Sequence, residues 1–157
     1  SLVSQIKAGA SAIQLFDSWA GSLSPEQYEH FVLPHSKKIF EALSEYSVPR
    51  IHFGVGTGEI LHLMSAAGAD VVGVDWRVQI DEARKRIGVG KAVQGNLDPS
   101  ILGGDWELIS EEVIDILERN AGQHGHIFNL GHGVTPEVNP DVLKRVVDLV
   151  HNFRTGK

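Results

Sequence analysis

Five short apolar runs, each followed by an amphipathic segment, constrain this chain more than any other feature of its sequence. The runs cover residues 12–16, 50–53, 70–74, 91–95 and 126–130. Each has four or five residues, mostly β-branched or aromatic in character, which is the pattern of a buried strand. Segments of helical period follow them. The first opens at Ser24-Pro25-Glu26-Gln27, where Ser24 can cap, Pro25 suits the first helical position and Gln27 can reach back as in a capping box. Its later face carries Phe31, Ile39, Phe40 and Leu43. The next follows Thr57-Gly58 with Ile60, Leu61, Leu63 and Met64, and a mostly charged one covers residues 79–87. A fourth sets Ile109, Val113, Ile116, Leu117 and Asn120 at helical spacing. The last, from Asn139-Pro140, places Val142, Leu143, Val146, Val147, Val150 and Phe153 on one stripe.

Strands alternating with helices predict an α/β fold with a parallel sheet. A closed (β/α)8 barrel needs about 200–250 residues. With 157 residues and five units, the chain reads as an open sheet or as a partial barrel of TIM type, five-eighths complete. No linker, low-complexity tract or charge block interrupts residues 1–157, which predicts one domain. Residues 1–9 read as the end of a helix belonging to a preceding unit.

Composition narrows the chemistry. Hydrophobic residues make up 42% and charged residues 22%, as in a soluble globular protein. No stretch approaches the ~20 apolar residues of a membrane span, and no secretory signal opens the chain. The absence of cysteine removes disulfides, thiolate zinc sites, iron–sulfur clusters and cysteine nucleophiles together, and is compatible with the cytoplasm. A net charge of −6 with no Lys/Arg block argues against a nucleic-acid partner.

Polar residues cluster just past the apolar runs, where parallel α/β folds build their sites. Gly54, Gly56 and Gly58 follow the second run, and Asp75 ends the third. This is the layout of a nucleotide or S-adenosylmethionine site, and also of a merely tight strand-to-helix turn. After the first run come Asp17 and Ser18; Ser18 can bind a carboxylate or cap its turn, and it lacks the Gly-x-Ser-x-Gly context of a hydrolase nucleophile. His132 lies between two glycines on a strand-end loop, a placement that favours function over core filling. Asn96 and Asp98 follow the fourth run, with Asp98-Pro99 reading as a helix start. The histidines at 30, 35, 124 and 126 show no third ligand at metal-binding spacing and read as surface or packing residues. Residues 81–86 read as a solvated charged face.

Taken in order, QLFDSWAG (14–21), HFGVGTGE (52–59), GADVVGVDW (68–76), VQGNLDP (93–99) and GHIFNLGHGVTPEVNP (125–140) resemble the C-terminal part of bacterial members of the uroporphyrinogen decarboxylase family. The resemblance covers essentially the whole chain. It implies a (β/α)8 barrel forming a cytoplasmic homodimer. The implied activity removes four acetate carboxyl groups from uroporphyrinogen III to give coproporphyrinogen III, with no metal or organic cofactor. It implies that Ser18 contacts a substrate carboxylate, that Phe16 lines the cleft beside it, that His132 hydrogen-bonds the acidic side chains, and that Asn96 lies in a matching motif. It makes the glycine segment a barrel turn. The family's carboxylate-binding arginine motif, its central aspartate and its active-site tyrosine have no match here, so the resemblance implies a fragment that is inactive alone, with the catalytic acid outside it. Related thiol-activating methyltransferases hold zinc through His and Cys, and no cysteine is present. Two other readings stand beside the decarboxylase: an S-adenosylmethionine-dependent methyltransferase built on the 54–58 loop, and a non-catalytic porphyrinogen-binding remnant.

Overall fold

The computed structural model describes residues 1–154. A short helix α1 (Leu2–Lys7) leads into strand β1 (Ile13–Phe16). Helices α2 (Pro25–Phe31) and α3 (Leu33–Ala42) connect it to β2 (Arg50–Phe53), and α4 (Leu61–Ala66) leads on to β3 (Val71–Gly73). Helix α5 (Ile80–Ile87) precedes β4 (Ala92–Gln94), α6 (Trp106–Asn120) precedes β5 (His126–Ile127), and α7 (Pro140–Asn152) follows. The five strands lie side by side in chain order, every neighbour pair parallel. This is the α/β arrangement that the fivefold alternation predicts.

The capping box forms as the sequence requires. The Gln27 amide donates to Ser24 Oγ at 3.2 Å, and Gln27 Oε1 accepts from the Ser24 amide at 3.0 Å. Such a cap stabilises a helix by about 1 kcal/mol. Asn139 caps α7 through the Asp141 amide, and Asp98 caps the 3-10 turn Pro99–Gly103 through the Ser100 amide. The helix expected from Ser24 to Leu43 is broken at Val32. Pro34 has no amide proton to give the His30 carbonyl, and its ring crowds that carbonyl, so the helix restarts. The break turns Phe31 and Ile39 to solvent, while Phe40 and Leu43 stay buried. Val147 likewise departs from the stripe expected of α7 and is half exposed, whereas Val146 is buried.

Residues alternate across the sheet, as strand geometry demands. Val72 and Val93 face the helices and join a core with Phe40, Leu61, Met64, Ile80, Ile109 and Val113. The register aligns Phe16, Phe53, Gly73 and Gln94 on the opposite face. That face is concave. Gln94 Nε2 on β4 donates to Gln14 Oε1 on β1 at 3.1 Å, across three strand spacings of about 4.8 Å each. Two side chains standing upright on a flat sheet would not meet over that distance, so the sheet curls towards them. Gly73 admits the Phe53 ring, whose Cδ2 lies 2.8 Å from where a Cβ would stand. The Arg145 guanidinium sits 3.8 Å from the Trp106 ring centroid and ties α7 to α6.

Candidate functional site at the carboxyl ends of the strands

The alternation of β1 continues past its last residue. Gln14, Phe16 and Ser18 line the concave face, and Asp17 between the last two turns towards the helices. The Asp17 amide donates to the Phe53 carbonyl at 2.7 Å, which extends the β1–β2 ladder by one residue. Its carboxylate accepts from Tyr28 Oη at 3.4 Å and lies 3.4 Å from Nε2 of the fully buried His52. Burial, followed by the Asp17 charge, raises the Tyr28 hydroxyl well above its usual range, so it is a donor at neutral pH. The buried Tyr28 and His52 thus anchor the half-buried Asp17, the residue before Ser18. Ser18 itself is exposed.

A second loop comes from the far edge of the sheet. Leu97 bridges Leu130 in parallel, and the Gly131 amide donates to the Leu97 carbonyl at 2.7 Å. A Cβ at Gly131 would stand 2.7 Å from the Trp76 backbone nitrogen, so only glycine permits this approach. The loop delivers His132 to the same concave face as Ser18. Below it, the His126 ring Nε2 donates to the Gly95 carbonyl at 2.8 Å. Burial holds the His126 pKa below its ordinary value; the Gly95 carbonyl opposes that shift and the Arg84 charge adds to it.

Together these elements enclose a cleft of about 530 Å³ lined by Gln14, Phe16, Ser18, Phe53, Gln94, Asn129, Leu130, His132, Gly133 and Val134. Phe16 and Phe53 meet edge to face, with centroids 6.0 Å apart. Among the described residues, no Asp, Glu, Lys or Arg lines this cleft, in a chain with 20 acidic residues. Its polar groups are neutral amides, a hydroxyl, a histidine and backbone. Such a wall accepts a flat apolar body against its rings and hydrogen-bonds polar groups at its edges.

Three of the four residues singled out from sequence, Phe16, Ser18 and His132, come together here. Asn96 does not. It is buried, and its Nδ2 donates to the Asp75 and Val78 carbonyls at 3.0 and 2.5 Å. It lines a separate cavity with Trp76, Gln79 and Asp98. Its work in this structure is to hold the loop after β3, because the chain past Gln94 turns its side chain away from the cleft. Sequence reasoning missed Gln14, Gln94 and Asn129 as cleft residues. For Gln14, the signal was its two-residue spacing from Phe16.

The nucleotide-like glycine turn is filled by protein. Asp75 is buried; its Oδ2 accepts from the Gly56 amide at 2.6 Å and from Arg77 Nη1 at 2.5 Å, and its Oδ1 accepts from the Arg77 amide at 3.2 Å. A side chain at Gly21 would strike the Val55 carbonyl and the Gly56 backbone, so the β1 and β2 loops interlock. The acid that would take ribose hydroxyls is engaged, which removes the basis for a cofactor site there.

The family model described as Uroporphyrinogen decarboxylase (URO-D) matches residues 1–153. This chain belongs to the uroporphyrinogen decarboxylase family. Among relatives of that name, the Streptomyces coelicolor protein is 60% identical over 151 residues, covering 96% of this chain and 42% of the relative. The Rhodococcus erythropolis protein is 55% identical over 157 residues, covering 97% of this chain and 44% of the relative. The chain therefore spans well under half the length of these curated relatives. A solved methyltransferase from Methanosarcina mazei superposes with a TM-score of 0.84 at 21% identity, covering 96% of this chain and 44% of that one. That likeness bears on fold alone, and the partial barrel expected from sequence is consistent with it. Among the described residues, no helix is long and apolar enough to cross a membrane.

Proposed function

We propose that this chain is one domain-forming part of a uroporphyrinogen decarboxylase, contributing five β/α units and one wall of its cleft. The complete protein removes the four acetate carboxyl groups of uroporphyrinogen III to give coproporphyrinogen III, in the cytoplasm and as a homodimer. The observation that carries this reading is the cleft at the carboxyl ends of the strands, where Phe16, Ser18 and His132 converge on a wall free of carboxylates. A substrate bearing many carboxylates meets donors there and no repulsion.

The chemistry is suited to a site with no cofactor. A pyrrole accepts a proton at the ring α-carbon next to the one that bears the acetate arm, leaving a cationic ring conjugated through the arm-bearing carbon to the nitrogen. The C–C bond to the carboxylate then breaks, carbon dioxide leaves, and the bonding electrons flow into the ring and neutralise it. A second proton adds at the exocyclic methylene to make the methyl group, and the first proton leaves the ring α-carbon, which restores the pyrrole. In this scheme Phe16 and Phe53 pack against the macrocycle. His132 and Ser18 hydrogen-bond substrate carboxylates and hold their register. The acid belongs to the remainder of the protein, and this chain alone forms no product.

The test is anaerobic incubation of the complete protein with uroporphyrinogen III, followed by oxidation and chromatography of the porphyrins. Coproporphyrin is the expected product. Tight substrate binding without carboxylate loss would favour a non-catalytic porphyrinogen-binding protein and overturn the enzymatic reading.

A further inference from the structure

The floor of the cleft holds a pair of amides that the family resemblance assigns no role. Gln14 and Gln94 both line it, and Gln94 is only 7% exposed. Gln94 Nε2 donates to Gln14 Oε1 at 3.1 Å. Neither amide can flip alone without placing like against like, so with Gln14 Oε1 accepting this bond the Gln14 Nε2 group lies on the other side. Its two N–H groups have no side-chain or backbone partner among the described residues. The rings of Phe16 and Phe53 stand beside it, and no carboxylate of the cleft competes for it.

We propose that Gln14 is a further substrate-binding residue, donating from Nε2 to a carboxylate arm of the substrate, and that Gln94 is its positioning residue. The inference rests on the decarboxylase reading above and adds a contact to it. Gln14 lies on β1 and Ser18 in the turn that follows it, four residues on and at most about 13 Å away at strand spacing. They therefore serve different arms of one macrocycle, Ser18 at the rim and Gln14 at the floor. A donor held in place before the ligand arrives gives up little entropy on binding, which is what the Gln94 bond supplies.

The experiment compares the complete protein with Gln14→Met, Gln94→Met and the double variant. Gln14→Met keeps the volume and removes the donor. Gln94→Met keeps the volume, adds no charge and removes the bond that holds the Gln14 amide in place. Each single variant is expected to raise KM for uroporphyrinogen III about tenfold, with kcat within about twofold. The double variant should be no worse than Gln14→Met alone, as expected of residues acting through one contact. A lowered Tm with unchanged KM would show a purely structural pair and overturn the proposal. Additive losses would overturn the positioning role of Gln94. Should Gln94→Met fail to fold, Gln14→Met alone decides whether the donor binds substrate. Fluorescence titration with coproporphyrin III separates this proposal from the reading beneath it. If the wild-type protein turns over no substrate, that reading fails, and an affinity for coproporphyrin III left unchanged by Gln14→Met overturns the contact as well.

Discussion

At the amino-terminal ends of the strands, charged groups stitch neighbouring elements together. Arg50 donates from its amide and Nε to Asp70 Oδ2 and from Nη2 to Oδ1, all at 2.9 Å, while its Nη1 reaches the Phe40 carbonyl at 2.9 Å. Lys91 Nζ donates to the Ala69 carbonyl at 2.5 Å. At the carboxyl ends the sheet presents an uncharged cleft, with Phe16 and Trp19 largely exposed and His132 on a loop. The same five strands thus carry partnered charges between neighbouring strands at one rim and, beside the Asp75–Arg77 pair, a cleft with unspent donors at the other. Groups that have found partners hold a fold together; groups left without partners remain free to bind. A division of this kind is expected where stability and ligand binding occupy opposite faces of a parallel barrel.

The comparison breaks if substitutions at the two rims have the same effect. The largest functional loss is expected from His132→Ala in the complete protein: kcat/KM for uroporphyrinogen III should fall about ten- to a hundredfold with an unchanged Tm. A hydrogen bond to a charged group contributes about 1.5–3 kcal/mol, and other donors share the load. A matching drop in Tm would place His132 with the stabilising residues instead. Ser18→Ala removes a neutral donor and should cost about fivefold in the same assay, from about 1 kcal/mol; no change at all would mean that Ser18 only shapes its turn. At the other rim, Arg50→Met should lower stability by about 1 kcal/mol in chemical denaturation and leave kcat/KM intact. Loss of activity in that folded variant would show that the rims are not separable.

The smallest effect concerns acid. The Arg50 guanidinium holds the Asp70 carboxyl below its ordinary range. Its contribution is therefore present above the usual carboxylate pKa and is lost as pH falls through the lowered folded-state value. His126 also has a depressed pKa, so the unfolded chain takes up its proton first, and stability declines as pH falls below about 6.5. His126→Gln keeps a donor for the Gly95 carbonyl and cannot titrate. It should flatten the unfolding free energy between about pH 7 and 5 and leave the steeper loss below about pH 4 in place. An unaltered profile would assign the milder decline to another group.

Local patterns were enough to foresee the five strands, their polar end residues and the caps at Ser24, Asp98 and Asn139, because each depends on residues close in sequence. Ser18 and His132 could be picked out because both follow apolar runs at once. Asn96 follows a run equally closely, but its fate depends on the Asp75 and Val78 carbonyls from the preceding unit. The same limit hid the Gln14–Gln94 bond, which joins residues 80 apart in the chain. It also hid His52, which reads as one residue of an apolar strand until Asp17 and Tyr28 close around it. The glycines at 54, 56 and 58 resembled a ligand turn because the Gly21 loop that packs against them lies more than thirty residues upstream.

Under the proposed function, the absence of Asp, Glu, Lys and Arg among the described residues of the cleft wall bears on kinetics as well as on affinity. Mobile ions screen exposed charges beyond about 8–10 Å at physiological strength, but they weaken short contacts to neutral donors far less. A polyanion is drawn in by long-range fields, which this wall does not generate. On the function proposed above, it is retained by close contacts to the neutral donors of this wall. Added salt should therefore slow encounter through the rest of the protein's field, while the part of the residence time set by this wall stays nearly constant.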